Sequence, residues 1–168
     1  MSSNPDPLRI DAATGADVSL ILTLIRELAD YERMADQVVA TEADIRCALF
    51  GERPCAEAAI ARAGAEAVGF ALFFQSFSTF VGRPGLYLED LYVRPAHRGR
   101  GIGRRLLAHL ARIAVERDCG RFEWSVLDWN ELAIASYRRA GAVPMDEWTV
   151  YRLTGEPLRA LAAEATAP

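Results

Sequence analysis

The chain has 168 residues, of which 51% are hydrophobic, and a formal net charge of −4 at pH 7. That length suits one domain spanning 1–168, and the negative balance argues against a nucleic-acid partner. No apolar run approaches the roughly 18 residues that cross a bilayer, and the opening MSSNPDPLRID lacks the pattern of a secretory leader, so a cytoplasmic protein without a membrane partner is expected.

Leu8 to Asp11 reads as a short opening strand. Thr14-Gly-Ala-Asp17 has the form of a helix cap, and Ile21, Leu24, Ile25 and Leu28 then recur at helical spacing as far as about Arg33. Thr41-Glu-Ala-Asp44 caps a second helix that stops at Gly51 and Pro54. Three strand-like segments follow, near 56–62, 67–75 and 86–93, divided by Gly64 and by the Ser/Thr/Gly/Pro-rich stretch 76–85. A helix from Gly101 to about Arg117 turns Leu106, Leu107, Leu110 and Ile113 inward, with His109 on the solvent face. A strand at 121–127, a helix at 130–140, a strand over Trp148–Leu153 and a short tail helix within 154–168 complete the order, with 7–153 as the core. Such an order predicts an α/β fold, a mixed sheet of six or seven strands with helices on both faces. Cys47, Cys55 and Cys119 show no C-x-x-C spacing, so neither metal nor disulfide is expected.

The chemistry concentrates in LYLEDLYVRPAHRGRGIGRRLL, residues 86–107. A strand carrying Glu89 and Asp90 leads into Arg98-Gly99-Arg100-Gly101-Ile102-Gly103, which opens a helix. Backbone N–H groups at such a turn close on a diphosphate, the helix dipole adds attraction, and Arg94, Arg98, Arg100, Arg104 and Arg105 add charge. The glycines at 99, 101 and 103 fit neither a Walker loop nor a dinucleotide fingerprint. The spacing Arg98-x-x-Gly101-x-Gly103 resembles the acetyl-coenzyme A loop of the GNAT superfamily of N-acetyltransferases.

Glu89 and Asp90 are adjacent, so an unbroken strand puts them on opposite faces and turns one inward, unless a bulge intervenes. Tyr137 lies two helical turns beyond Asn130, and both can face one side. Acetyl transfer to an amine uses groups of these kinds. Presenting a primary amine unprotonated at neutral pH costs about 4.6 kcal/mol, and Glu89, directly or through water, is a candidate base. Backbone N–H groups near Leu91–Val93 are candidates to stabilise the oxyanion, and a tyrosine hydroxyl to protonate the leaving thiolate. All 19 basic residues are arginine, so the folded chain offers no ε-amine of its own to acylate.

The segments IRELADYERMADQV, TEAD, LYLEDLYV, RGRGIG, DWN and YRRAGA together resemble the diamine (spermidine/spermine) and thialysine N-acetyltransferases over most of residues 8–153. The resemblance implies a GNAT fold, acetyl-CoA as donor, and usually a homodimer. It implies Tyr137 as general acid and Glu89 as an aid to deprotonation. Backbone of Leu91, Tyr92, Val93 and of Gly99 to Arg104, with Asn130, would hold the cofactor, and Tyr31, Glu32, Asp90, Glu123, Trp124 and Ser125 would border the acceptor. Polyamine-specific members carry an Asp and a Trp where this chain has Ser78 and Phe80, and the family's Glu-Gly-Trp stands here as Asp146-Glu147-Trp148. A small cationic amine, thialysine- or lysine-like in preference to a polyamine, is the expected acceptor. Competing readings are a protein lysine or N-terminal acetyltransferase and a non-catalytic acyl-CoA sensor.

Overall fold

A computed structural model describes residues 7–165, leaving the first six residues and the last three outside the description. By contacts the chain divides into two compact units, one through Glu131 and one from Leu132 onward.

In the first unit, β1 (Leu8–Ala12) leads through a 3-10 turn into α1 (Val18–Tyr31), followed by α2 (Glu42–Phe50). Both capping signals are realised: Thr14 pairs with Asp17, and Thr41 N–H donates to Asp44 Oδ2 at 2.8 Å while its Oγ1 accepts from Asp44 N–H. Next come β2 (Glu57–Ala63), β3 (Glu66–Ser78), β4 (Arg83–Val93), α3 (Ile102–Glu116) and β5 (Arg121–Trp124). The sheet order is β1-β2-β3-β4-β5, antiparallel throughout except for the parallel β4–β5 pair. Such a parallel pair needs a crossover, and α3 supplies it.

Helices cover both sheet faces, which explains why β2 and β3 read as nearly continuous apolar runs. On one face Ile21, Leu24 and Leu28 of α1 pack with Ile45 and Leu49 of α2 over Ile60, Phe70 and Tyr92. α3 buries Leu106, Leu107, Leu110 and Ala114. Burial at roughly 2 kcal/mol for each large apolar side chain makes these two layers the main stabilising term.

The second unit contains nearly all of α4 (Glu131–Arg139) and α5 (Gly155–Glu164). The strand expected over Trp148–Leu153 does not form, so the described residues give five strands rather than six or seven. Trp148, Val150 and Tyr151 are exposed, and a β-prone sequence without a ladder to join has no reason to extend. The strand predicted to 127 likewise stops at Trp124, because the chain turns, with Asn130 N–H donating to Leu127 O at 2.8 Å.

Candidate active site

One inserted residue shapes the site. Leu72 of β3 faces Asp90 of β4, but Phe73 faces Leu88, so Glu89 is the extra residue of a β-bulge. Both expectations for the acidic pair are thereby modified: Glu89 is exposed at the bulge and Asp90 is half-buried. β5 pairs with β4 only over Gly85–Leu88, so beyond the bulge the outer edge of β4 has no strand partner among the described residues. Arg94 N–H donates to Val68 O at 2.9 Å, and Tyr92 O lies against Gly69, where even a Cβ would come within 2.5 Å. Strand alternation therefore turns the peptide groups of Leu91 and Val93 to the open edge, while Tyr92 directs its backbone into the sheet.

At the end of this edge lies the glycine loop. Gly99 and Gly101 both have φ of +76°, a conformation unfavourable for side-chain-bearing residues, and nothing lies within 4 Å of where a Cβ would stand. Gly101 is the N-cap of α3 and supplies no side-chain cap. The first helical bond is Arg105 N–H to Gly101 O, so the N–H groups of Ile102, Gly103 and Arg104 have no partner within the helix. Of the five arginines expected to serve phosphate, two are engaged elsewhere. Arg94 forms a bidentate pair with Glu27 at 2.7 and 3.0 Å, and Arg105 donates to Leu8 O at 3.1 Å. Arg100 and Arg104 are exposed. Arg98 folds back along the open edge, its Nε donating to Val93 O at 2.8 Å and its guanidinium lying 4.3 Å from the Tyr31 ring centroid.

Opposite the bulge is a cleft of about 330 Å³ lined by Ile25, Leu28, Ala29, Glu32, Met34, Gln37, Val38, Glu89 and Asp90. Three carboxylates thus border a partly apolar hollow. Burial, then the neighbouring charges of Glu89 and Glu32, raise the Asp90 carboxyl pKa to about 6. Burial also raises that of Glu32. Burial is the first cause of both shifts, and at Asp90 the two neighbouring carboxylates add to it.

The cleft rim is built by the end of α1. Arg33 N–H donates to Asp30 O and Met34 N–H to Ala29 O, a Schellman termination in which Arg33 takes φ of +61°. Glycine is the usual occupant there, and another residue costs about 1–2 kcal/mol. Tyr31, just before it, packs its ring 5.9 Å from Trp129, and Tyr31 Oη reaches Asn130 Oδ1 at 3.5 Å. Trp129 in turn carries the Arg33 guanidinium 5.9 Å from its centroid. Sequence reasoning passed over Arg33 and Trp129. The left-handed conformation has no sequence signature when the residue is arginine, and Trp129 was visible only as part of DWN.

Three further expected residues lie on β5 or just after it. Glu123 pairs with Arg121 at 2.7 Å, Trp124 packs on Phe122, and Ser125 Oγ lies 2.8 Å from Tyr87 Oη. None of these lines the cleft. Tyr137 is on α4, and Asp146 and Glu147 sit in a local hollow formed by Pro144–Trp148; all three belong to the second unit. His97 lies 3.3 Å from Glu66, and His109 is half-buried rather than solvated, its pKa lowered by burial and then by Arg112. Among the described residues no cluster suits a metal ion, and no helix is long and apolar enough to cross a membrane.

The sequence matches the acetyltransferase (GNAT) family over residues 22–142. It is 40% identical to a thialysine N-epsilon-acetyltransferase of Bos taurus, over 92% of this chain and 97% of that one. It is 30% identical to an L-ornithine N5-acetyltransferase of Arabidopsis thaliana, over 91% of this chain and 87% of the other. An integron cassette protein from the mobile metagenome of V. cholerae shares the fold, with a TM-score of 0.78 and 28% identity over 92% of this chain and 97% of that one. The chain belongs to the acetyltransferase (GNAT) family.

Proposed function

We propose that the protein moves the acetyl group of acetyl-CoA to the terminal primary amine of a small cationic acceptor, a thialysine- or lysine-like amino acid or a diamine. The observation that carries this reading is the cleft in which Glu32, Glu89 and Asp90 meet beside the open edge of β4. Three carboxylates attract an ammonium, and the apolar wall of Ile25, Leu28 and Val38 suits its methylene chain. The relatives named for thialysine and ornithine act on amino acids that end in such an amine.

The residues of the open edge suit the donor. Leu91 and Val93 would pair with its amide-bearing arm, and the N–H groups of Ile102, Gly103 and Arg104 would close on its diphosphate. Arg98, Arg100 and Arg104 would supply charge, and Asn130 is assigned to the donor on the sequence motif. Uncapped N–H groups and the empty space over Gly99 and Gly101 fit that group. When bound, acetyl-CoA supplies an acyl carbon activated as a thioester. Asp90 and Glu32 hold the acceptor ammonium, and Glu89, at the mouth of the bulge, takes its proton directly or through water. A backbone N–H of the open edge donates to the developing oxyanion. Tyr137 Oη is assigned, on the sequence motif, as proton donor to the departing sulfur. Glu123, Trp124, Ser125, Asp146 and Glu147 are assigned to the acceptor border on the same ground, and a homodimer as the assembly.

The resemblance, which sets Ser78 where polyamine-specific members carry a carboxylate, supports the amino-acid acceptor. Free-thiol release from acetyl-CoA with thialysine, lysine, ornithine, spermidine and a lysine-bearing peptide tests the proposal, with Tyr137→Phe alongside. Turnover on a small amine, lowered at least about a hundredfold in the variant, supports it. Turnover on the peptide alone, or acetyl-CoA binding without turnover, refutes it.

A further inference from the structure

We infer that Arg33 is a specificity-determining residue that binds the α-carboxylate of an amino-acid acceptor and thereby selects such acceptors over diamines of the same length. The inference rests on the amine-acceptor reading of the cleft and names its substrate class. Arg33 follows Glu32 and precedes Met34, both of which line the acidic cleft. Its guanidinium lies over Trp129 and has no ion-pair partner among the described residues. The neighbouring Arg98 differs, since Val93 O and the Tyr31 ring already hold it along the donor edge. An arginine resting on an indole face keeps the N–H groups of its edge available for a carboxylate.

The backbone adds an independent argument. Residue 33 occupies the left-handed position of a Schellman turn, with φ of +61°, where glycine relieves strain. An arginine there carries a backbone cost that is offset when its side chain engages the acceptor. Within the acceptor the logic is complementary. An amino acid such as lysine brings an ammonium to Glu32, Glu89 and Asp90 and a carboxylate at its other end. The diamine of the same chain length carries only a further positive route into the site, and its second ammonium meets the Arg33 charge.

The test compares lysine with cadaverine, and ornithine with putrescine, pairs that differ only by the carboxylate. In the wild type, kcat/KM favours each amino acid over its diamine. Arg33→Gly lowers that ratio by roughly tenfold to a hundredfold, the range of one charge-assisted hydrogen bond, with the loss on the amino-acid arm. Arg33→Lys restores part of the ratio. Because glycine suits the turn, the thermal midpoint of Arg33→Gly is expected at or above the wild-type value, which separates selectivity from folding. An unchanged ratio in Arg33→Gly, or a wild type that prefers the diamines, overturns the assignment while leaving the acceptor cleft intact. Failure of the wild type to acetylate thialysine or any of the four amines would overturn the amine-acceptor reading itself.

Discussion

The two halves of β4 differ more than any two strands of the sheet. From Gly85 to Leu88 the strand is hydrogen-bonded on both sides and buries Leu86 and Leu88. From Glu89 to Val93 it keeps β3 but loses β5, and the apolar sequence gives way to two carboxylates. A single bulged residue separates them. The closed half stabilises the fold, whereas the open half offers peptide groups without a strand partner at its edge and two acidic side chains beside them, a costly arrangement unless ligands complete it.

The largest effect comes from abolishing the difference. Deleting Glu89 removes the bulge and its carboxylate and straightens β4 while Asp90 stays opposite Leu72, so acetyl transfer should fall to background in the thiol-release assay. Next in size is a contrast between the halves. Leu86→Ala should cost about 2–5 kcal/mol in urea unfolding, whereas Asp90→Asn should stabilise the protein while lowering kcat/KM at least about tenfold. The sign follows from linkage. The Asp90 pKa is raised to about 6, so the folded chain binds its proton more tightly than the unfolded one, and stability is lost as pH rises from about 4 through 6. The gain in Asp90→Asn should therefore be present at about pH 8 and fade as the pH falls towards 4; a gain that grows on acidification contradicts this.

A smaller effect concerns the acceptor. Protonating Asp90 removes charge from the cleft, so the acceptor KM should rise as pH falls through about 6, and this rise should be absent in Asp90→Asn. Smallest is the difference between two arginines that the sequence treats alike. Arg98→Ala should weaken acetyl-CoA binding about tenfold, while Arg105→Ala, whose side chain bonds Leu8 O, should leave the Kd within about twofold in calorimetry.

Local signals carried most of the first unit: capping boxes at Thr14 and Thr41, α3 periodicity, and the Gly99–Gly103 loop were all legible and adopt the expected structure. Long-range facts were less so. Nothing in LYLED states that Glu89 is bulged, because a bulge is defined by its partner strand. The engagement of Arg94 by Glu27 and of Arg105 by Leu8 depends on tertiary approach, so composition counted five phosphate-facing arginines where fewer face the loop. The Trp148–Leu153 segment has strand-like composition but no ladder, a reminder that β-propensity is a preference for neighbours.

Amide hydrogen exchange, measured residue by residue with and without acetyl-CoA, tests the division of β4 most directly. Coenzyme should newly protect the amides of Leu91, Val93, Ile102, Gly103 and Arg104, and leave Tyr92 and Leu86–Leu88 unchanged because the sheet already holds them. Tight binding with no added protection at Leu91 and Val93 would contradict the assignment of the open edge as the donor site.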